Sequence, residues 1–154
     1  MKRIANLPVP ASDTLARRPQ TRRRGAAAAE FAVVAPLIAL LMLGAIEFGR
    51  AVQLRAVLQD AARKACRTGV KPGNNSATIT TEVNNILQDN GMKPSDATIT
   101  ILVNGVAVDA STAQRNDVIS VKVGIPFNKV TWSNPLFLTN TLIESETVAM
   151  MRQG

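Results

Sequence analysis

A chain of 154 residues has room for one small domain and an anchor. With no histidine, no tyrosine and one cysteine, it lacks the side chain that most often serves acid–base catalysis, a metal-ligand cluster and any intrachain disulfide. The formal charge of +7 sits at one end: residues 1–24 carry seven of the 18 Lys/Arg against Asp13 alone, while residues 25–154 carry the other 11 against 10 acids.

The N-terminal stretch holds Pro8, Pro10 and Pro19, scattered arginines and little apolar periodicity, which predicts a disordered basic leader over 1–25. A basic arm suits nucleic-acid phosphates. Here aromatic stacking residues are scarce and the arm abuts an apolar run. The simpler reading is a topology signal, with Arg22, Arg23 and Arg24 held on the cytoplasmic side and no nucleic-acid partner.

From Ala26 to Ile46 the chain is apolar apart from Glu30. As a helix this stretch spans ~31 Å, close to the ~30 Å hydrocarbon core of a bilayer. The uncharged part, Phe31 to Ile46, is short for a span by itself, so the alanines extend it at the cytoplasmic edge. Pro36 lies within the run, and membrane helices tolerate proline. Membrane lipid is therefore a predicted partner. A carboxylate at the depth of Glu30 is costly and points to a purpose.

Helical periodicity continues past Glu47. Ala51, Leu54, Leu58, Ala61 and Ala65 recur at alternating three- and four-residue spacing, with Val57 and Ala62 beside them, and predict an amphipathic extension over 47–68. Gly69 and Pro72-Gly73 stop it. Ala51, Leu54 and Leu58 form the packing stripe offered to the outer domain or to partners. Glu47 and Arg50 read as an i,i+3 surface pair at the far membrane edge. Ala45 and Gly49 fit small-residue helix packing, a pattern that alanine-rich helices produce freely. Cys66 reads as a small residue on a helix face, with no histidine to activate it, although two chains have the chemistry to join through it.

Residues 69–154 read as a small α+β domain. Ile79, Val83, Ile86 and Leu87 predict a helix opened near Ser76 or Thr78 and closed by Asn90-Gly91. Asn74-Asn75-Ser76 matches a glycosylation acceptor, but a turn before that helix explains it better. Ile99, Ile101 and Val103 alternate into Asn104-Gly105, and Val106 and Val108 follow. The pattern predicts a hairpin with Val103 opposite Val106 and Ile101 opposite Val108. A further strand covers Val118 to Ile125 with Ile119, Val121, Val123 and Ile125 on one face. The last covers Leu142 to Met151, with Ile143, Ser145, Thr147, Ala149 and Met151 sharing a face. The apolar face of such a sheet needs a cover, and the outer half of the long helix is the natural one. The fold class is thus α+β: a long N-terminal transmembrane helix extending into a small antiparallel-sheet domain.

Arg22-Arg23-Arg24-Gly25-Ala26-Ala27-Ala28-Ala29-Glu30-Phe31-Ala32, then Pro36-Leu37, then Ile46-Glu47-Phe48-Gly49-Arg50 resemble the TadE-like family, pilin-like proteins of tight-adherence (Flp-type) pilus systems. A looser similarity runs through Ile119-Ser120-Val121-Lys122-Val123, Pro126-Phe127 and Met150-Met151-Arg152. The resemblance implies cutting by a prepilin peptidase between Gly25 and Ala26, so that Ala26 becomes the first mature residue. Glycine lets the scissile backbone enter a tight site at the membrane edge. The resemblance also makes Glu30 the fifth mature residue, placed to pair with a neighbouring subunit's new α-amino group and set the stagger between helices. Flp pilins commonly carry tyrosine next; Phe31 stands there, which loses a hydroxyl and leaves the cleavage logic unchanged. The implied role is a minor pilin or pseudopilin in assembly of an adhesive pilus or its secretion apparatus. Its partners would be the prepilin peptidase, other pilins and pilus assembly platform proteins. The implied location is the inner membrane, single-pass, N-terminus cytoplasmic and C-terminal domain periplasmic.

Two other classes compete: an uncleaved membrane-anchored binding module, and a secreted domain released by signal peptidase near Gly49-Arg50-Ala51. A lipoprotein is disfavoured because Cys66 follows Arg63-Lys64. An enzyme is disfavoured by inventory: no G-x-S-x-G, no S-x-x-K, no phosphate-binding glycine loop, no metal cluster and no cofactor motif. The acid pairs Asp109 with Asp117, and Glu144 with Glu146, read as solvated surface groups.

Overall fold

The computed structural model describes residues 21–130 and 135–153. They build an α+β protein: helix α1 (Thr21–Gly69), helix α2 (Ser76–Asp89), and strands β1 (Thr98–Val103), β2 (Val118–Pro126), β3 (Leu142–Glu144) and β4 (Val148–Met151) in one antiparallel sheet. Two compact units divide the chain, Met1–Ala39 and Leu40–Gly154. Among the described residues the first contains helix only; the second holds the rest of α1, α2 and the sheet.

Residues 1–20 of the expected disordered leader lie outside the described residues. The backbone from Thr21 to Gly25 is helical, so α1 opens before Arg22 rather than at Ala26. Arginine and alanine are good helix formers, and the single Gly25 between them does not break the helix. The helix continues through Pro36 and past Ile46 to Gly69. At Gly69 α2 comes close: a Cβ there would lie 2.6 Å from Cδ1 and 3.0 Å from Cγ1 of Ile79, so that fully buried side chain would have to shift.

In the second unit α1 turns one face inward. Leu54, Leu58, Ala61, Ala62, Ala65 and Cys66 are buried, in one cluster with Ile79, Val83 and Leu87 of α2 and Ile119, Val121, Val123 and Ile125 of β2. Toward the C-terminal end of α1 the buried side chains are small (Ala61, Ala62, Ala65 and Cys66), whereas Leu54 and Leu58 before them are large. Ala51 is half-buried at the edge of the cluster. Helix α2 starts where Asn75 Oδ1 accepts the Thr78 amide at 2.9 Å, a side-chain N-cap. It ends through Gly91 at φ +72°, with the Met92 amide donating to the Leu87 carbonyl at 2.9 Å.

Strand β2 is the centre of the sheet. It pairs β1 along one edge (Thr98 opposite Gly124 through Val103 opposite Ile119) and β3, then β4, elsewhere. Two expectations fail here. The Asn104-Gly105 turn forms as read, with φ +50° and +81° and paired 2.9 Å bonds between Val103 and Val106. The return strand does not. Ile101 faces Val121 rather than Val108, and Val106 and Val108 stay exposed. Asn104 shows why: its amide donates to the Val118 carbonyl (2.8 Å), its Oδ1 accepts the Val118 amide (2.9 Å) and its Nδ2 donates to Asp117 (2.8 Å). These bonds steer β2 alongside β1, where four fully buried side chains outweigh two valines.

The second failure concerns the C-terminal strand, which is broken in two. Between Gly124 opposite Glu144 and Val121 opposite Val148, two residues of β2 face three: Ser145, Glu146 and Thr147. This is a β-bulge, and one extra residue exchanges the two faces. Ile143 and Ser145 turn inward as expected. Beyond the bulge Val148 and Met150 turn inward instead of Thr147, Ala149 and Met151, which are exposed.

Candidate functional site

From Phe31 to Ile46 the helix presents apolar side chains to its surroundings. Val33 is 75% exposed, Leu41 68% and Met42 63%, and none of the most apolar window is covered by protein. A contiguous apolar surface of this extent is not stable in water. The helix is long and apolar enough to cross a membrane, and its composition is that of a single-pass anchor.

At the N-terminal edge, Gly25, Ala26, Glu30 and Phe31 lie on the exposed surface of α1. The Arg22, Arg23 and Arg24 backbone is helical; their side chains lie outside the described set. A Cβ added to Gly25 would meet nothing within 4 Å, and its φ is not in the left-handed region. Glycine at a helical position costs about 1 kcal/mol relative to alanine. No contact or backbone angle among the described residues explains its presence. Among the described residues Glu30 has no ion-pair partner in its own chain. Gly49 is equally open.

The other end of the apolar run differs from the sequence reading. Glu47 does not pair with Arg50. Its Oε1 and Oε2 accept the backbone amides of Leu136 (2.5 Å) and Phe137 (3.0 Å). Two converging N–H dipoles hold a carboxylate more tightly than one flexible, solvated guanidinium. Sequence reasoning missed this contact because the donors are main-chain groups some 90 residues away.

Elsewhere the titratable groups are engaged in structural bonds. Asp109 caps a short turn through the Ser111 amide (2.7 Å), and Asp117 accepts the Gln114 amide (2.6 Å) and the Asn104 side chain (2.8 Å). The Ser111 hydroxyl, then its amide, holds the Asp109 carboxyl below the usual range, and the Gln114 amide, then the Asn104 side chain, does the same for Asp117. Glu144 pairs with Lys122, and Glu146 with Arg55. Among the described residues no group of three or more His, Cys, Asp or Glu converges as a metal site. The Cys66 thiol donates to the Ile119 carbonyl at 3.2 Å and is fully buried, which closes the route to an interchain disulfide in the folded state.

The apolar, lipid-compatible helix that begins beside an unexplained glycine and ends as a buried packing face has a counterpart among known families. Residues 25–67 match the family model for TadE-like protein. The TadE-like match starts at Gly25, takes in Glu30, the membrane-length run and the Ala51, Leu54 and Leu58 stripe, and stops two residues before α1 ends. The family resemblance is thereby borne out from Gly25 to Arg67; Arg22–Arg24, α2 and the sheet lie outside the matched stretch. No curated protein and no solved structure matches the chain.

Proposed function

We propose that this protein is a minor pilin or pseudopilin of a tight-adherence pilus, a structural component made as a membrane-anchored precursor and matured by a prepilin peptidase. The observation that carries this reading is Gly25. Among the described residues a Cβ there would meet nothing within 4 Å and Glu30, five residues on, has no ion-pair partner, and the TadE-like match begins on Gly25. A glycine with no packing role among the described residues is explained by a partner that needs it. As the weakest helix former after proline, it lets the Gly25–Ala26 peptide leave the helix and enter a peptidase site.

After cleavage, Ala26 carries a new α-amino group next to lipid. Glu30 of an adjacent subunit offers the opposite charge, and pairing the two removes both unpaired charges from the apolar layer. That contact sets axial stagger, while the Phe31–Ile46 surface packs laterally. The arginines stay cytoplasmic and the sheet domain lies beyond the inner membrane. The family resemblance supports a structural rather than catalytic role.

The mature N-terminus tests this reading. Mass spectrometry of membrane-extracted protein is expected to show a chain starting at Ala26. A start at Met1 would favour an uncleaved binding module, and a start at Val52 a secreted domain. The second cut would fall within continuous helix, three residues before buried Leu54. Gly25→Leu is expected to abolish processing; unchanged gel mobility and normal pilus assembly in that variant would refute the proposal.

A further inference from the structure

We propose that the Pro135–Leu138 loop is a second membrane contact, with Leu136 and Phe137 seated at the boundary between headgroups and acyl chains beside the end of the anchor. This inference rests on the reading that residues 26–46 span a bilayer. The loop is tied down at both ends: Pro135 is buried and Leu138 packs against the core. Between them Leu136 is 60% exposed and Phe137 61% exposed. Two large apolar side chains on a pinned loop are held outward by the structure.

Their position selects the occupant. The Phe137 ring carbon Cε2 lies 3.5 Å from where a Cβ on Gly44 would stand. Gly44 is two residues short of Ile46, where the apolar run ends, so the ring sits about 3 Å along the helix axis inside that limit. Phe48, on the same helix face one turn further on, is 69% exposed. The loop therefore adjoins the apolar stretch of α1 that ends at Ile46, within the same compact unit. Phe and Leu side chains are among those that seat at the boundary between headgroups and acyl chains. Arg50 follows in the next turn, placed to meet lipid phosphates.

The polar groups of the loop agree with the same setting. A peptide amide entering the interfacial layer without a partner is costly. The Leu136 and Phe137 amides both donate to the Glu47 carboxylate. The Pro135 carbonyl accepts the Thr139 hydroxyl at 2.9 Å, and the Leu138 carbonyl accepts the Thr141 amide at 3.3 Å. The partners of Glu47 thus serve both sides: the carboxylate gains two donors at the membrane edge, and the loop has two amides removed from contact with lipid.

The test places tryptophan reporters in full-length protein carrying W132F, reconstituted in phosphatidylcholine–phosphatidylglycerol vesicles whose acyl chains are brominated near the headgroup end. F137W is expected to lose about half its fluorescence relative to unbrominated vesicles, V108W at the exposed Asn-Gly turn to lose none, and L41W to be quenched within the anchor. L136W repeats the measurement should F137W disturb the fold. If L41W is quenched while F137W and L136W behave like V108W, the loop contact is refuted and the anchor stands. If L41W is also unquenched, the anchor itself fails and the loop contact with it. Shielding of F137W from aqueous iodide that ignores brominated lipid and disappears on dilution into excess lipid would mean that a second copy covers the patch, which also overturns the proposal.

Discussion

Ser145 satisfies both backbone polar groups of Val123: its amide donates to the Val123 carbonyl at 2.8 Å, and its hydroxyl accepts the Val123 amide at 3.0 Å. At the bulge the ladder between β2 and the C-terminal strands loses its regular partner, and a side chain takes the place of the missing carbonyl. Both residues are buried. Ser145→Ala removes the acceptor and leaves a buried N–H with none. We expect a loss of about 1–3 kcal/mol in unfolding free energy, measured by denaturant titration of the full chain in detergent. An unchanged midpoint would show that the hydroxyl contributes nothing to the sheet.

The two halves of α1 are expected to respond differently to the same change. Leu58 is fully buried in the core, so Leu58→Ala should cost about 2–5 kcal/mol through lost burial and a cavity. Leu41 is 68% exposed on the apolar stretch of α1, so Leu41→Ala should leave the stability of the sheet domain unchanged. Thermal unfolding followed by circular dichroism compares them directly. Equal effects would contradict the division of the helix into a lipid face and a core face.

Asp117 makes stability depend on pH in a defined direction. The Gln114 amide, followed by the Asn104 side chain, holds its carboxyl below the ordinary value. A depressed folded-state value stabilises the fold above the unfolded carboxylate value of about 3.9, and the contribution disappears as pH falls through the lower folded value. Stability should therefore be flat near neutrality and decline below about pH 4. Asn104→Gly keeps the left-handed backbone and removes the side-chain donor. The Asp117 midpoint, followed by carboxyl-carbon NMR, should rise while remaining depressed, because the Gln114 amide stays.

Cys66 is expected to be inert. Burial pushes its thiol up from the ordinary value, against a smaller opposing effect of the Met150 backbone amide. Maleimide should label it only after denaturation, and non-reducing gels of oxidised membranes should show monomer. Rapid labelling in the folded state would place the thiol elsewhere than under the Ile119 carbonyl.

The features legible in the chain were those governed by local rules. The uncharged run from Phe31 to Ile46 identifies an anchor because hydropathy and length are counted along the chain. Ile119, Val121, Val123 and Ile125 identify an inward face because a strand alternates whatever its neighbours. Asn104-Gly105 identifies a turn because its positive φ values suit those two residues. Even the cover of the sheet by Leu54 and Leu58 follows from a stripe that needs an opposing surface.

What the sequence alone determined is therefore the anchor, the turns and the periodic faces, each set by interactions among residues a few positions apart. Tertiary structure decided the rest. It chose Val121 over Val108 as the partner of Ile101, inserted the extra residue that turns Met150 inward and Met151 outward, and gave Glu47 two backbone amides instead of Arg50. Those choices depend on which distant segments bury the most surface and satisfy the most hydrogen bonds when brought together, and a linear pattern does not contain that comparison.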